Sequence, residues 1–253
     1  MRLSEGAGRS NAPGLPGRPR ISCPPGVYAS LVPDVRERWR SGWLDATVYD
    51  SAVEHERVAR VLGRLIWGMD ASGFYGDIAR LGKEPDGTAI LDVPCGGGVA
   101  FRGLRAGQRV RYVAADLSPV MLERARAEAL RRGLDQVEFT AADVNALPFE
   151  DGSFDLCVSY TGLHCFPDPA AALAEMARVL RPGGVLRGTA VVKHAGLRQD
   201  AWVRLMQLRG SFGPGCTLAD LESWLADAGL VEVSARRDGA LGYFSARREL
   251  DDA

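Results

Sequence analysis

The stretch "AILDVPCGGGVAF", Ala89–Phe101, runs from an apolar segment into three consecutive glycines. The apolar part reads as a buried strand, and the glycines as a loop against which something large and polar sits, because glycine tolerates positive φ and close backbone approach. Pro94 stands where a flexible residue is expected. Proline fixes φ near −65° and has no N–H, so position 94 is predicted to have negative φ and to donate nothing to a ligand. Close approach then rests on Gly96 and Gly98. Cys95, with no basic neighbour in sequence, reads as a small buried side chain and not as a nucleophile.

Outward from this loop the pattern alternates. Downstream come the strands "VRYVAAD", "QVEFTAAD", "FDLCVSY" and "GVLRGTAVV", with a short helix after the glycines and a long one over "SPVMLERARAEALRRG". There Ser118 is predicted to cap, Pro119 to fill the first turn and Gly133 to end the helix. In "DPAAALAEMARVLRPGG" Asp168 caps, Leu173, Met176 and Leu180 line one face, and Pro182 with two glycines stops the helix. Thr217 caps "LADLESWLADAG", and "LVEVSAR" and "LGYFSAR" form an antiparallel pair. Upstream, Val53, Val58, Val61, Leu62 and Leu65 mark an amphipathic helix ended by Gly68, and Phe74, Ile78 and Leu81 mark the side of a second. Residues 1–33, rich in Gly, Pro and Arg, read as an irregular tail. The expected organisation is therefore a tail over 1–33, a helical cap over 34–87 and an α/β domain over 88–253. The fold expected for that domain is a Rossmann-like, doubly wound, mostly parallel seven-stranded sheet with an antiparallel C-terminal hairpin. Ligands of such sheets bind at the carboxyl ends of the strands, near the point where strand order reverses.

Totals narrow the function. The 253 residues are 46% hydrophobic, enough for one sizeable core, and a net charge of −1 gives no general attraction to nucleic acid or anionic membrane. No apolar run reaches the ~18 residues of a membrane span. Five cysteines without C-x-x-C spacing, and no signal-like opening segment, point to reduced thiols and a cytoplasmic protein. The histidines, at 55, 164 and 194, are scattered, and no metal site is expected.

Three ligands compete for the loop. A phosphate loop needs a Lys after its glycines, and none follows. A dinucleotide fold needs G-x-G-x-x-G, which Phe101 breaks. Asp116 does fit a ribose-binding carboxylate, since it lies 18 residues after Gly98, near the ~20 expected. Asp92 disfavours a pyrophosphate but suits a ligand with an ammonium group. Each acid also has a plainer reading: Asp116 as a carboxylate at a helix N-terminus, Asp143 as a turn cap, Asp155 as a structural group.

"LDVPCGGG", "VAADLSPVML", "FTAADVNALPFEDGSFDLCVS", "LHCFPDP" and "RVLRPGG" resemble, in order and spacing, the successive motifs of class I S-adenosylmethionine-dependent methyltransferases, in particular the small-molecule branch that includes the quinone-biosynthesis enzymes. The resemblance covers roughly residues 88–192. It implies that the backbone from Asp92 through Val93, Pro94, Cys95 and Gly96 to Gly98 lies under the methionine part of S-adenosyl-L-methionine. Asp116 takes the ribose hydroxyls, Leu117 and Met121 pack near the adenine, and Asp143 and the Val144 amide meet its edge. Ser159 and Tyr160 approach the ammonium. Pro94 departs from the family's usual glycine.

Methyl transfer needs alignment and exclusion of water more than acid–base chemistry. A base is required only for a phenol, alcohol or carbon acid. His164 is the best candidate for base or contact, its plainer role being to shape the pocket; His194 is a second candidate, and His55 reads as solvated. Tyr49 and Trp67 are expected near the cofactor. The segment "HAGLRQDAWVRLMQLRGSFGPG" mixes Trp202, Leu205, Met206 and Leu208 with Arg204 and Arg209, suiting an apolar acceptor with an acidic group, or simply packing as an amphipathic helix. The function expected is methylation of a small, apolar molecule at O or C, with no nucleic-acid partner and no stable membrane insertion. The alternatives are a cofactor-binding module without transfer, a nicotinamide dehydrogenase and a nucleic-acid methyltransferase.

Overall fold

The structure, a computed structural model, describes residues 60–250. The tail over 1–33, Cys23, Tyr49, Val53, His55 and Val58 lie outside the described residues.

The sheet has seven strands: β1 Ala89–Asp92, β2 Arg111–Asp116, β3 Val137–Ala141, β4 Phe154–Tyr160, β5 Leu180–Val191, β6 Leu230–Asp238 and β7 Leu241–Arg248. Their order is β3-β2-β1-β4-β5-β7-β6. The first five are parallel, and β7 inserts antiparallel between β5 and β6. Order reverses between β1 and β4, which places the glycine loop at the switch point. The sheet is buried on both faces, as the near-continuous apolar runs require. One face packs Leu91, Val113, Cys157 and Leu186 under Leu173, Met176, Leu221 and Leu225. The other packs Ile90, Tyr112 and Val158 under Phe74, Ile78, Phe101 and Leu122. Burying each large apolar side chain contributes roughly 1.5–3 kcal/mol, so this double layer holds the strand tips in place.

Among the described residues, five α-helices cover it: α1 Ala71–Ile78, α2 Pro119–Arg132, α3 Pro169–Val179, α4 Leu197–Leu208 and α5 Leu218–Asp227. Several expected caps are present. Asp168 accepts the Ala171 N–H at 3.0 Å. Thr217 and Asp220 form a reciprocal capping box at 3.1 and 2.8 Å. Gly133 closes α2 at φ 66° and Gly68 ends the upstream helix, also at φ 66°.

Three expectations are corrected. Ser118 occupies the N-cap position of α2 but makes no capping bond with its side chain; its own N–H is instead taken by Asp116. The short helix expected after the glycines is present, as a five-residue 3-10 helix, Val99–Gly103. Phe101 folds back over Gly98, where a Cβ would lie 2.6 Å from the ring, and Gly103 sits so close to the Ile78 carbonyl that no side chain fits. Helix α3 ends at Val179, and β5 already begins at Leu180, ahead of Pro182. Residues before a proline avoid the α region, and the extra residues are absorbed by a register shift opposite Phe154–Leu156. Finally, Val61 and Leu65 are each 58% exposed. Residues 60–62 are helical and run into a π-helical turn, Gly63–Trp67. This segment packs through Gly63 and Trp67, whose ring stacks on Phe212, so the face carrying Val61 and Leu65 points away. Phe74, Ile78 and Leu81 are buried as expected.

Candidate active site

The site is built at the carboxyl tips of β1, β2 and β4. Asp92 ends β1 and is 1% exposed. It accepts a 2.8 Å hydrogen bond from the hydroxyl of Tyr112 on β2. The register pairs Ile90 with Tyr112 and Asp92 with Ala114, so Asp92 and Tyr112 are diagonal neighbours on one face. Burial pushes the Asp92 carboxyl up to about 8; the Tyr112 hydrogen bond opposes this, and the nearby Asp116 charge adds to it.

Beyond β1 the chain turns sharply. The Val93 N–H donates to the Val158 carbonyl and the Cys95 N–H to the Ala115 carbonyl, which ties the loop to both neighbouring strands. The Val93–Pro94 peptide is cis, and Gly96 and Gly98 adopt φ of 52° and 92°, where glycine is the favoured residue. A Cβ on Gly96 would meet nothing within 4 Å, so the loop has an open side there. Cys95 is a buried thiol whose Sγ lies 3.5 Å from the Gly96 carbonyl, in keeping with a packing role.

Asp116 ends β2, 7% exposed. One carboxylate oxygen accepts the Gly96 N–H at 2.9 Å and the other the Ser118 N–H at 2.8 Å. It therefore braces the glycine loop and the start of α2 together. Leu117 is half-buried, and Met121, on the first turn of α2, is buried. Asp116 is in register with Ala141, which brings Asp143 to the same sheet edge. There Asp143 accepts the Asn145 N–H at 3.0 Å in a tight turn, and Val144 is buried against the core.

Ser159 and Tyr160 both lie at the tip of β4, but alternation sends them to opposite faces. Tyr160 donates at 2.9 Å to Asp77 of α1, and burial raises its hydroxyl further above its usual range. The Ser159 hydroxyl is buried with no hydrogen-bond partner among the described residues. After β4, Thr161 takes φ 55°, an uncommon conformation for a β-branched residue. It precedes a 3-10 turn, Leu163–Cys165, that carries His164. The His164 ring is buried 4.3 Å from the Phe212 ring centroid. Burial lowers it to about 3, so it is neutral at pH 7. His194 lies elsewhere: it is exposed, with φ 61° and its carbonyl bonded to Arg237. Asp155 is structural, accepting from the Ala89 N–H at 2.7 Å and from Arg181.

Two contributors escaped the sequence reading. Tyr112 stands within the strand "VRYVAAD" with no local signal for its role, which comes from the register that pairs it with Ile90, two residues before Asp92. Gly162 carries no signal of its role in the sequence. A Cβ there would overlap Cδ of Pro94 and lie 2.8 Å from its Cγ and 2.9 Å from the Ser159 hydroxyl oxygen.

The residues fit an adenosyl ligand. A buried carboxylate closes β2, an open-sided glycine stands beside it, and a buried acid and an unpartnered hydroxyl flank the loop. Residues 91–187 match the family described as the methyltransferase domain. An uncharacterized chloroplastic methyltransferase of Arabidopsis thaliana is 35% identical over 175 residues, 61% of this chain and 49% of that protein. The 27-O-demethylrifamycin SV methyltransferase of Amycolatopsis mediterranei is 33% identical over 153 residues, 59% and 56% of the two chains. The chain thus spans about half the length of these relatives. Among solved structures, the phosphoethanolamine N-methyltransferase 2 of Haemonchus contortus in complex with S-adenosyl-L-methionine superposes with a TM-score of 0.67 at 16% identity, over 85% of this chain and 60% of that one. At that identity the likeness is one of fold. From Leu91 to Arg187, then, the chain is similar to the methyltransferase domain family, and its described residues take the class I methyltransferase fold.

Proposed function

We propose that this protein binds S-adenosyl-L-methionine and transfers its methyl group to a small, apolar molecule at oxygen or carbon. The observation that carries the reading is the Asp116 carboxylate, buried at the tip of β2 and bonded to the Gly96 N–H of an open-sided loop. In this reading Asp116 accepts from the ribose hydroxyls, Asp143 and Val144 border the adenine with Leu117 and Met121, and Gly96 and Gly98 admit the methionine arm. Asp92, kept protonated by burial, ionises when an ammonium group arrives, and Ser159 accepts from the same group. When bound, the cofactor supplies an electrophilic methyl on a sulfonium. The protein's own work is to orient the acceptor and exclude water, which is worth up to ~7–11 kcal/mol where alignment is good.

His164 serves in this reading as a neutral wall of the acceptor space with Phe212. A base whose conjugate acid titrates near 3 is a poor match for removing a phenol or alcohol proton at pH 7. A cytoplasmic location and a small-molecule acceptor instead of nucleic acid belong to the same reading. The free thiols of the described cysteines support the former, and the apolar relatives of the acceptor end, Trp67, Met206 and Phe212, the latter.

Isothermal titration with S-adenosylhomocysteine tests the binding half; no heat at millimolar ligand overturns it. Incubation with methyl-labelled cofactor and small-molecule extracts tests transfer. Binding without any labelled product favours the non-catalytic module.

A further inference from the structure

We propose that the outer face of α4, together with the adjoining Val61 and Leu65, docks on an anionic lipid surface. Helix α4 is amphipathic in an inverted sense. Its core-facing side is thin: only Val203 is buried, with Met206 packed beside it against Trp67 and Phe212. Its outward side carries leucines. Leu197 is 95% exposed, Leu208 69% and Leu205 38%, and Ala201 between them is exposed too. Steps of four, four and three residues set these on one stripe about 80° wide at 3.6 residues per turn.

Arginines flank the stripe on both sides, Arg204 along one edge and Arg198 and Arg209 along the other, all exposed. None of the three is in an ion pair with a described residue. The one acid of the helix, Asp200, is turned to the Ala195 N–H at its start. A chain with a net charge of −1 therefore gathers these three cations around a stripe of exposed leucines, of which Leu197 is 95% exposed. The π-helical segment, which packs against α4, adds Val61, Leu65 and the exposed Arg64.

An apolar stripe bordered by arginines matches the interface of an anionic bilayer, with leucines in the acyl boundary and guanidinium groups among phosphates. A helix of 12 residues is ~18 Å long, too short for a ~30 Å hydrocarbon core, so it lies on the surface and does not cross it. The same helix backs onto Phe212, which touches His164, so the docked face lies across α4 from the turn after β4. The docking stands whether or not methyl transfer occurs.

Flotation of the full chain with vesicles of phosphatidylcholine alone, or doped with phosphatidylglycerol, tests this. The expected result is co-flotation with the anionic vesicles, reversed by high salt. Replacing Arg198, Arg204 and Arg209 by Gln should lower partitioning on the order of a hundredfold, at roughly 1 kcal/mol for each cation near the surface. Leu197→Ser with Leu208→Ser should abolish it. Because these side chains are exposed, both variants should keep the parent's thermal unfolding and S-adenosylhomocysteine affinity. The proposal is overturned if the parent ignores both vesicles, if binding survives either set of substitutions, or if sedimentation shows a vesicle-independent dimer that the leucine substitutions dissolve. That last result would mean a second copy occupies the face.

Discussion

The ring of Pro94 fills the space that a side chain at Gly162 would need, so the loop after β1 and the loop after β4 are fitted to each other across the switch point. A Gly162→Ala substitution should therefore cost about 1–3 kcal/mol by overpacking and weaken cofactor binding, because the displaced ring belongs to the loop that carries Gly96. Adding Pro94→Gly removes the ring. Denaturant titration of both singles and the double should give a coupling of at least about 0.5 kcal/mol. Strict additivity would show that the two loops are independent.

The Asp92 carboxyl is the most perturbed acid of the site. Its folded value of about 8 lies above the ordinary 3.8, so between those limits the folded protein holds a proton that the unfolded chain has lost. Stability conferred in the protonated form is thus lost as pH rises through this window, at up to about 1.4 kcal/mol per unit. Asp92→Asn, which keeps an acceptor for the Tyr112 hydroxyl, should be more stable than the parent at pH 7 and should bind S-adenosylhomocysteine more weakly. In the parent, affinity should climb with pH towards 8, and calorimetry in buffers of different ionisation enthalpy should record proton release on binding. Proton uptake, or none, would separate Asp92 from the ammonium.

Asp116 makes two hydrogen bonds to backbone N–H groups before any ligand is considered. Asp116→Ala should then lose ribose acceptors and slacken the Gly96 turn. Hydrogen bonds to charged groups contribute roughly 1.5–3 kcal/mol each, so affinity for S-adenosylhomocysteine should fall ten- to hundredfold or more. Unchanged affinity in a titration of this variant would remove the ribose role.

Much of this site was legible because its signals are local. The apolar runs of β1, β2 and β4, the Asp168 and Thr217 caps and the positive-φ glycines each follow from a few adjacent residues. What escaped depends on register and contact. The Tyr112 hydroxyl reaches Asp92 only because β1 and β2 pair with Ile90 opposite Tyr112. Ser118 has the right residue type and position for a cap, but the nearby Asp116 takes its N–H and its hydroxyl makes no capping bond. The alternation in "FDLCVSY" sends Ser159 and Tyr160 to opposite faces, although the resemblance places both near the ammonium. Val61 and Leu65 carry helical periodicity, yet periodicity does not say which side of a helix finds a partner.

His164 supplies the last prediction, through its opposite sign. Its folded value of about 3 lies below the ordinary 6.5, so between these the unfolded chain holds the extra proton, and stability rises with pH up to about 6.5. Asp92 lowers stability over an overlapping window that continues to about 8. The two slopes cancel between roughly pH 4 and 6.5, and only the Asp92 slope remains above that. The parent should therefore show nearly level stability on the acid side and a decline from 6.5 to 8. His164→Asn, which removes the titrating group while keeping a polar side chain, should decline from pH 4 onward. As a neutral wall group, His164 should also leave no limb near 6.5 in the pH dependence of kcat/KM, and its substitution should not move the limb that belongs to Asp92. A rate loss of about 10²–10⁴, the usual worth of a general base, accompanied by disappearance of an acid limb, would return His164 to the role of proton acceptor.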